Sequence, residues 1–591
     1  MHKDDHFSRR DFIKKASLAA LGTGVAASLT SPVSAQAERR KLQGGASTGP
    51  YNILMIVTDQ QRHMPPEELP LGYRLPSQER LAKQGVVFEN HQVASCVCTP
   101  SRAVMYTGLH IQNNGMFDNT NFPWSGSMST EIDTVGDLLR KQGYYTAYKG
   151  KWHLTEEFET ANKLHTPKKI LNEEMEAYGF SDYFGIGDII AHTEGGYLHD
   201  DVIASMSRSW LRGKGEELRQ DNKPWFMAVN LVNPHDVMYY NTDLPGQAQQ
   251  SGNAMLQVNR DPHNALYQTQ WKLNLPRSRH QPIQEKGRPA AHLDYRNSRG
   301  VMVGVVPDDD SRWQRLNNYY FNCIQDVDSK IAGILDELDD LGMADNTIVI
   351  FTADHGELAG AHGLSGKGAT AYREQNNVPL TIAHPAFKGG KRCKAVTSHV
   401  DLATTLVSMA GGDAALKGLP GKDMTTLLDK PENATTDALR EGALYNYNMF
   451  AYIDQEFFSS IGKFFAEGGT PANIAKQGFR PNLKKRGAIR SVFDGQYKLT
   501  RYFSPLEHHV PKTFEQLFAH NDVELYDLSN DPVEMKNLAL DRNQYAAVIQ
   551  MMNDKLNLLI EQEVGEDAGQ MLPSIDGADW RLPPSIRNIR L

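Results

Sequence analysis

The chain has 591 residues, 40% hydrophobic and 23% charged, an ordinary balance for a soluble globular protein with a large core and room for more than one domain. Its formal net charge of -9 excludes general nucleic-acid binding and broad attraction of anions, so any anion site has to be local. No repeat at solenoid or propeller period stands out, and no segment reads as a stable membrane span.

The first 37 residues read as a targeting segment rather than as fold. Ser8-Arg9-Arg10-Asp11-Phe12 precedes a weakly apolar run from Ala16 to Leu29, and Val33-Ser34-Ala35 and Ala35-Gln36-Ala37 both fit small-residue cleavage. The paired arginines followed by Phe resemble a bacterial twin-arginine export signal. That resemblance implies a translocase partner and delivery to the periplasm or the medium in a folded state. The apolar run is too short and too rich in Ala, Gly and Ser for a good span, and no lipid-anchoring cysteine stands in the cleavage region.

Beyond this segment, strand-like and helix-like stretches alternate, which predicts an α/β domain. Asn52 to Asp59 is an apolar run ending in a carboxylate and followed by Gln60. Thr347 to Asp354 repeats the pattern far downstream and is followed by His355. Such runs suit buried parallel strands, and ligands bind where the C-terminal ends of those strands meet. A single strand-end Asp commonly caps a turn, whereas two brought to one edge can hold a hard cation.

Between these runs lies Cys98-Thr99-Pro100-Ser101-Arg102, closed by Thr107-Gly108. The spacing predicts a helix with Thr99 as cap, Pro100 in the first turn and Gly108 at the end. Cys98 would then stand at a helix N-terminus, where unpaired N–H groups favour anions. The four cysteines, Cys96, Cys98, Cys323 and Cys393, are too few and scattered for a disulfide framework. Cys96-Val97-Cys98 has the wrong spacing for a zinc pair, and Cys96 reads as a small structural residue.

Gly143-Tyr144-Tyr145-Thr146 leads to Gly150-Lys151-Trp152-His153, where alternation puts Lys151 and His153 on one side of an extended segment. A strand-like run from Trp225 to Val232 ends in Asn233-Pro234-His235-Asp236. Residues 244–310 are polar with little periodicity, which predicts a cover over a site or a mobile surface insertion. A helix-like stretch follows over 313–341. After the second carboxylate come His362-Gly363-Leu364-Ser365-Gly366-Lys367, Tyr372-Arg373-Glu374 and Val378-Pro379-Leu380. Gly495-Gln496-Tyr497-Lys498-Leu499 and Glu524-Leu525-Tyr526-Asp527-Leu528 lie near the C-terminus, with Asn530-Asp531-Pro532 beyond.

In this order the motifs resemble the type I, formylglycine-dependent sulfatases of the alkaline phosphatase superfamily. The resemblance covers most of the chain after the export segment. It implies a large α/β domain with a mixed, mostly parallel sheet flanked by helices, and a smaller C-terminal antiparallel-sheet subdomain. The expected boundaries are 38–435 for the catalytic domain, 436–567 for the subdomain and 568–591 for a tail. In that family the cysteine is oxidised to formylglycine by a maturase, so Cys98 is read as an aldehyde precursor. The implied catalytic set is Cys98, Arg102, Lys151, His153, His235 and Lys367. Asp59, Gln60, Asp354 and His355, with Cys98, are the implied metal ligands, and His362 and Glu374 are supporting residues.

Calcium is the family's usual ion, while the imidazole of His355 also suits Mn²⁺ or another divalent metal. Sulfate monoesters resist attack by anions, so positive charge has to converge on the sulfuryl oxygens; Arg102, Lys151, Lys367 and the metal would supply it. By the same resemblance His235 protonates the departing alcohol and His153 acts as a base. The implied substrate is a sulfated carbohydrate, an aryl sulfate or a choline-type ester. Asp59-Gln60 with Asp354-His355 also leaves open a phosphonate monoester or phosphodiester hydrolase, and the third reading is an inactive carbohydrate-binding relative. Homo-oligomerisation through the tail is left open.

Overall fold

The computed structural model describes residues 50–567 except 123, 157, 159–167, 186–192, 413–417, 471–472 and 475–476, together with 574–575 and 578–579. The expected export segment and most of the expected tail, Trp580 included, lie outside the described residues.

The apolar runs noted above become the centre of one sheet. Its strands are β1 (Asn52–Asp59), β2 (Val86–Gln92), β3 (Tyr145–Gly150), β4 (Ser181–Phe184), β5 (Trp225–Pro234), β6 (Thr347–Ala353), β7 (Leu380–Ala383) and β8 (Lys391–Ser398). They lie in the order β4-β3-β5-β1-β6-β7-β2-β8, and β7 alone runs antiparallel to its neighbours. The mixed, mostly parallel sheet expected from the sequence is therefore present. β1, β5 and β6 are buried along their whole length, as strands covered on both faces must be.

Alternate residues of β1 feed two different cores. Ile53, Met55 and Val57 pack with Ala103 and Tyr106 of helix α1 (Cys98–Thr107) on one face. Leu54 and Ile56 pack on the other with Ile203 of α2 (Gly195–Trp210) and Ile331 and Ile334 of a long helix (Asp310–Asp340). α1 is buried at all ten positions. It ends as expected at Gly108, whose φ of 69° is left-handed and whose added Cβ would lie 2.8 Å from Ala403 Cβ.

Two local expectations are corrected. Thr99 does not cap α1: the helix begins at Cys98, the Thr99 hydroxyl donates to the His153 carbonyl at 2.7 Å, and the Thr99 N–H donates to Asn119 Oδ1 at 3.1 Å. The acceptor for this orphan N–H comes from a later loop, which no local pattern announces. Nor is the 244–310 stretch without structure, since it contains α3 (Ala290–Val303), and the helix after it, α4 (Asp310–Asp340), starts at Asp310 with Asp309 as its cap. The buried face of α3 mixes Ala291, Tyr295 and Met302 with His292, Ser298 and Arg299, so hydropathy marks its helical period only weakly.

A second, antiparallel sheet of four strands follows: β9 (Ala443–Tyr447), β10 (Ala488–Phe493), β11 (Tyr497–Phe503) and β12 (Asn521–Asp527), ordered β12-β11-β10-β9. Leu444, Val492, Leu499 and Leu525 pack there against Ile549, Met552 and Leu556 of a C-terminal helix (Arg542–Glu563). Among the described residues, no helix is long and apolar enough to cross a membrane.

Candidate active site

Four adjacent parallel strands, β3, β5, β1 and β6, end on one edge and each delivers a polar side chain there. Asp59 ends β1, Lys151 follows β3, His235 follows β5 and Asp354 follows β6. α1 points its first turn at the same place, so Cys98 and Arg102, four residues apart, share one helix face. All six side chains are buried.

The centre of the cluster is acidic. Ligand atoms of Asp59, Cys98, Asp354 and His355 all lie within 4.8 Å of one another. Cys98 Sγ is 3.1 Å from His355 Nε2 and 3.7 Å from Asp59 Oδ1. His355 Nδ1 lies 3.0 Å from the Gly356 carbonyl, which can only accept, so the proton belongs on Nδ1 and the Nε2 lone pair faces the cluster. This is how a histidine is prepared to ligate a metal.

Cations surround the acidic centre. Arg102 donates from Nε to Asp354 Oδ2 at 3.0 Å, from Nη2 to Asp59 Oδ2 at 3.1 Å, and from Nη1 to the Lys151 carbonyl at 2.9 Å and Asn230 Oδ1 at 3.1 Å. These bonds occupy four of its five N–H donors. Arg102 is thus committed to the carboxylates, a different task from the sulfate contact that the resemblance implies. Lys151 Nζ donates to Asp59 Oδ2 at 2.7 Å. Lys367 Nζ donates to Gln60 Oε1 and approaches Met238 Sδ at 3.5 Å. Gln60, expected among the metal ligands, reaches the cluster through its backbone N–H, 3.0 Å from Asp354 Oδ1, while its side-chain Oε1 accepts from Lys367.

Burial works against charge on Asp59, but Lys151, His235 and Arg102 outweigh it and hold the carboxyl well below its usual range. Asp354 goes the other way, pushed up to about 6 by burial and by the neighbouring Asp59. Two carboxylates sharing one dry site resist double ionisation, and a bound cation relieves that repulsion. Burial opposes charge on Lys151 too, yet Asp59 raises its pKa above the lysine norm. His235 is held well below 6.5 by burial and then by Lys367 and Lys151. His153 is lowered likewise, by burial, Lys151 and Arg102.

The reading of Lys151 and His153 on one extended segment is corrected. β3 stops at Gly150, and His153 has a left-handed φ of 61°, so alternation does not set its direction. Gly150 itself has a φ of 89°, and an added Cβ would meet the Asn230 carbonyl at 2.0 Å. His235 is fixed from behind by its neighbour Asp236, which accepts the Gly196 and Tyr197 N–H groups at 2.8 and 2.9 Å. Asp200 of α2 returns the exchange by accepting from Val232 and Asn233 at 2.7 and 2.8 Å.

Three contributors escaped sequence reasoning. Asn230 receives Arg102 and, at 2.8 Å, the Tyr106 hydroxyl; an amide inside the apolar run of β5 was its only signal. Tyr320 donates to the Gln60 carbonyl at 2.9 Å, and Glu357 accepts from the Gln60 side chain. Neither stands out in the sequence.

Comparison with known proteins agrees with this geometry. The sulfatase family profile matches residues 51–412. The chain belongs to the sulfatase family, and the class of enzyme it defines is a sulfate ester hydrolase. It is 25% identical over 525 residues to the N-acetylglucosamine-6-O-sulfatase of Bacteroides thetaiotaomicron, covering 82% of each chain. A solved chain bound to its substrate D-glucosamine-2-N,6-O-disulfate superposes with a TM-score of 0.55 at 19% identity, covering 88% of this chain and 99% of that one. The phosphonate monoester hydrolase of Silicibacter pomeroyi shares the fold at a TM-score of 0.59 and 18% identity, covering 88% and 97%.

Proposed function

We propose that this enzyme releases sulfate from a sulfated saccharide, using a formylglycine made from Cys98 and a calcium ion. The observation that carries the reading is the position of Cys98, buried within 4.8 Å of Asp59, Asp354 and His355 at a sheet edge that also receives Lys151 and His235. Support for a saccharide comes from the N-acetylglucosamine-6-O-sulfatase relative and from the neighbour bound to a glucosamine disulfate.

Converted to formylglycine, Cys98 supplies the oxygen nucleophile that a thiol lacks. The donor set fits a divalent ion: two buried carboxylates, one of them raised by burial and by the other, and an imidazole whose lone pair faces them. When bound, the ion supplies Lewis-acid stabilisation of negative oxygen. Oxygen donors predominate, which favours Ca²⁺ over Mn²⁺ or another divalent metal.

The chain's own residues do the rest. Lys367 and Lys151 bind the sulfuryl oxygens, while Arg102 holds Asp59 and Asp354 in place for the metal. Burial and then the field of Lys367 and Lys151 keep His235 neutral; an anionic sulfate offsets the lysine part and lifts the ring toward the range where it donates a proton to the departing alkoxide. His153, held neutral by burial, accepts a proton at a ring nitrogen. Residues 244–310 are proposed to read the alcohol beyond the sulfate. Export through the twin-arginine pathway to the periplasm stands as a proposal from Arg9 and Arg10, as does action of the maturase on Cys98.

The second reading, a phosphonate monoester hydrolase, is favoured by the Gln60 and His355 positions and by the Silicibacter pomeroyi neighbour. Catalytic efficiency on matched aryl sulfate and aryl phosphonate esters separates the two. The sulfate ester is expected to be preferred, and a preference for the phosphonate overturns the sulfatase reading.

A further inference from the structure

Among the described residues, Glu357 is bonded to none that the motifs assign to catalysis except through Gln60, yet it is almost completely buried beside them. Its three partners are all donors. Oε1 accepts the Ala359 N–H at 2.8 Å and the Gly366 N–H at 2.6 Å, and Oε2 accepts from Gln60 Nε2. The first two bonds fold residues 357–366 back on themselves, helped by Leu358 N–H to Gly366 O at 3.0 Å and Gly360 N–H to Leu364 O at 2.7 Å. Lys367 leaves that loop directly after Gly366.

The third bond sets a polarity. A primary amide can turn over and present either oxygen or nitrogen to a site, and only the oxygen can bind a cation. Glu357 demands a donor, so it takes the nitrogen of Gln60 and leaves Oε1 facing Lys367 Nζ. The Gln60 backbone is pinned as well, by its N–H to Asp354 Oδ1 and its carbonyl from Tyr320, at a left-handed φ of 74°. Lys367 prefers the same amide orientation, but a lysine that engages sulfate no longer enforces it.

We propose that Glu357 is a positioning residue: it keeps the Gln60 side-chain oxygen on the side of Lys367, and with the Gln60 N–H held at Asp354 Oδ1 beside the Asp59–Asp354–His355 group, that oxygen serves as a further donor to the metal. This role rests on the metal reading above. It assigns Glu357 to the shell that orients ligands, whose loss typically costs about 10- to 100-fold in metal affinity.

The test is a calcium titration of the metal-stripped full chain by calorimetry, for wild type, Glu357→Gln, Gln60→Ala and the double variant. Gln at 357 keeps the size and still accepts backbone N–H groups, but it can also donate and so lets Gln60 turn over. Glu357→Gln is expected to weaken calcium by about 10- to 100-fold in the wild-type background and to add little when Gln60 is already Ala. Equal calcium affinity in wild type and Glu357→Gln, with only the unfolding midpoint lowered, overturns the role. An equal loss in both backgrounds also overturns it, since the effect then bypasses Gln60. Wild-type protein that takes up neither calcium nor manganese overturns the metal reading itself, and the role with it.

Discussion

The guanidinium of Arg102 meets the carboxylate of Asp59 at 3.1 Å with both side chains wholly out of water. The same guanidinium reaches Asp354 at 3.0 Å, so one cation links carboxylates from β1 and β6, which neighbour each other in the sheet but lie far apart in sequence. Arg102→Met removes the positive charge and leaves both carboxylates buried without it. Breaking a buried ion pair in this way costs about 3–5 kcal/mol. Urea unfolding of the metal-stripped protein checks this, and a loss below about 1 kcal/mol contradicts the assignment.

Lys367 carries a different load. Its ammonium rests on Gln60 Oε1 and Met238 Sδ, with no carboxylate bonded to it among the described residues. Lys367→Met keeps the stem and removes the charge, so stability should change little. kcat/KM for a sulfate ester should fall by about 10²- to 10³-fold, the usual worth of one electrostatic donor to a developing anion. A fall of less than about tenfold places the sulfate elsewhere.

Elemental analysis of purified enzyme should find calcium near stoichiometric amounts, and a chelator should abolish activity that added calcium restores. Calcium at about 100 times its Kd should raise stability by about 2.7 kcal/mol. A stoichiometric transition metal without calcium contradicts the choice of ion.

His399 sets a pH dependence: its Nε2 lies 3.1 Å from the Ala353 carbonyl and its Nδ1 lies 3.1 Å from Ser101 Oγ of α1. Burial lowers its pKa from 6.5 to about 3. The folded protein therefore keeps the ring neutral, whereas the unfolded chain takes up a proton below about pH 6.5. The stabilisation is present above that pH and is lost as pH falls toward the folded value. Wild-type stability minus that of His399→Gln should drop by about 2 kcal/mol between about pH 7 and about pH 5. Denaturant titrations of both proteins across that range test it, and a constant difference contradicts it.

Much of the fold was legible because its centre is simple. β1, β5 and β6 are buried on both faces, so they appear as unbroken apolar runs, and their terminal polar residues mark the site edge. Cys98, Lys151, His235 and Asp354 were visible because each sits at the end of such a run or in a dense motif. Glu357, Asn230 and Tyr320 were not, since their roles depend on partners brought from distant sequence. The cap of α1 escaped because Asn119 supplies it from beyond the helix. α3 escaped because its buried face mixes His292, Ser298 and Arg299 with apolar residues such as Tyr295 and Met302, which weakens the pattern that marks a helix.

The central claim is that Cys98, once converted, performs the hydrolysis at a site the rest of the chain has already built. The most direct measurement is inorganic sulfate released from a panel of defined sulfated saccharides by protein produced together with a formylglycine-generating maturase, wild type against Cys98→Ala. Wild type should release sulfate from at least one saccharide, and Cys98→Ala should release none while keeping its fold and nearly all its metal. Substantial sulfate release by a well-folded Cys98→Ala protein would contradict the account.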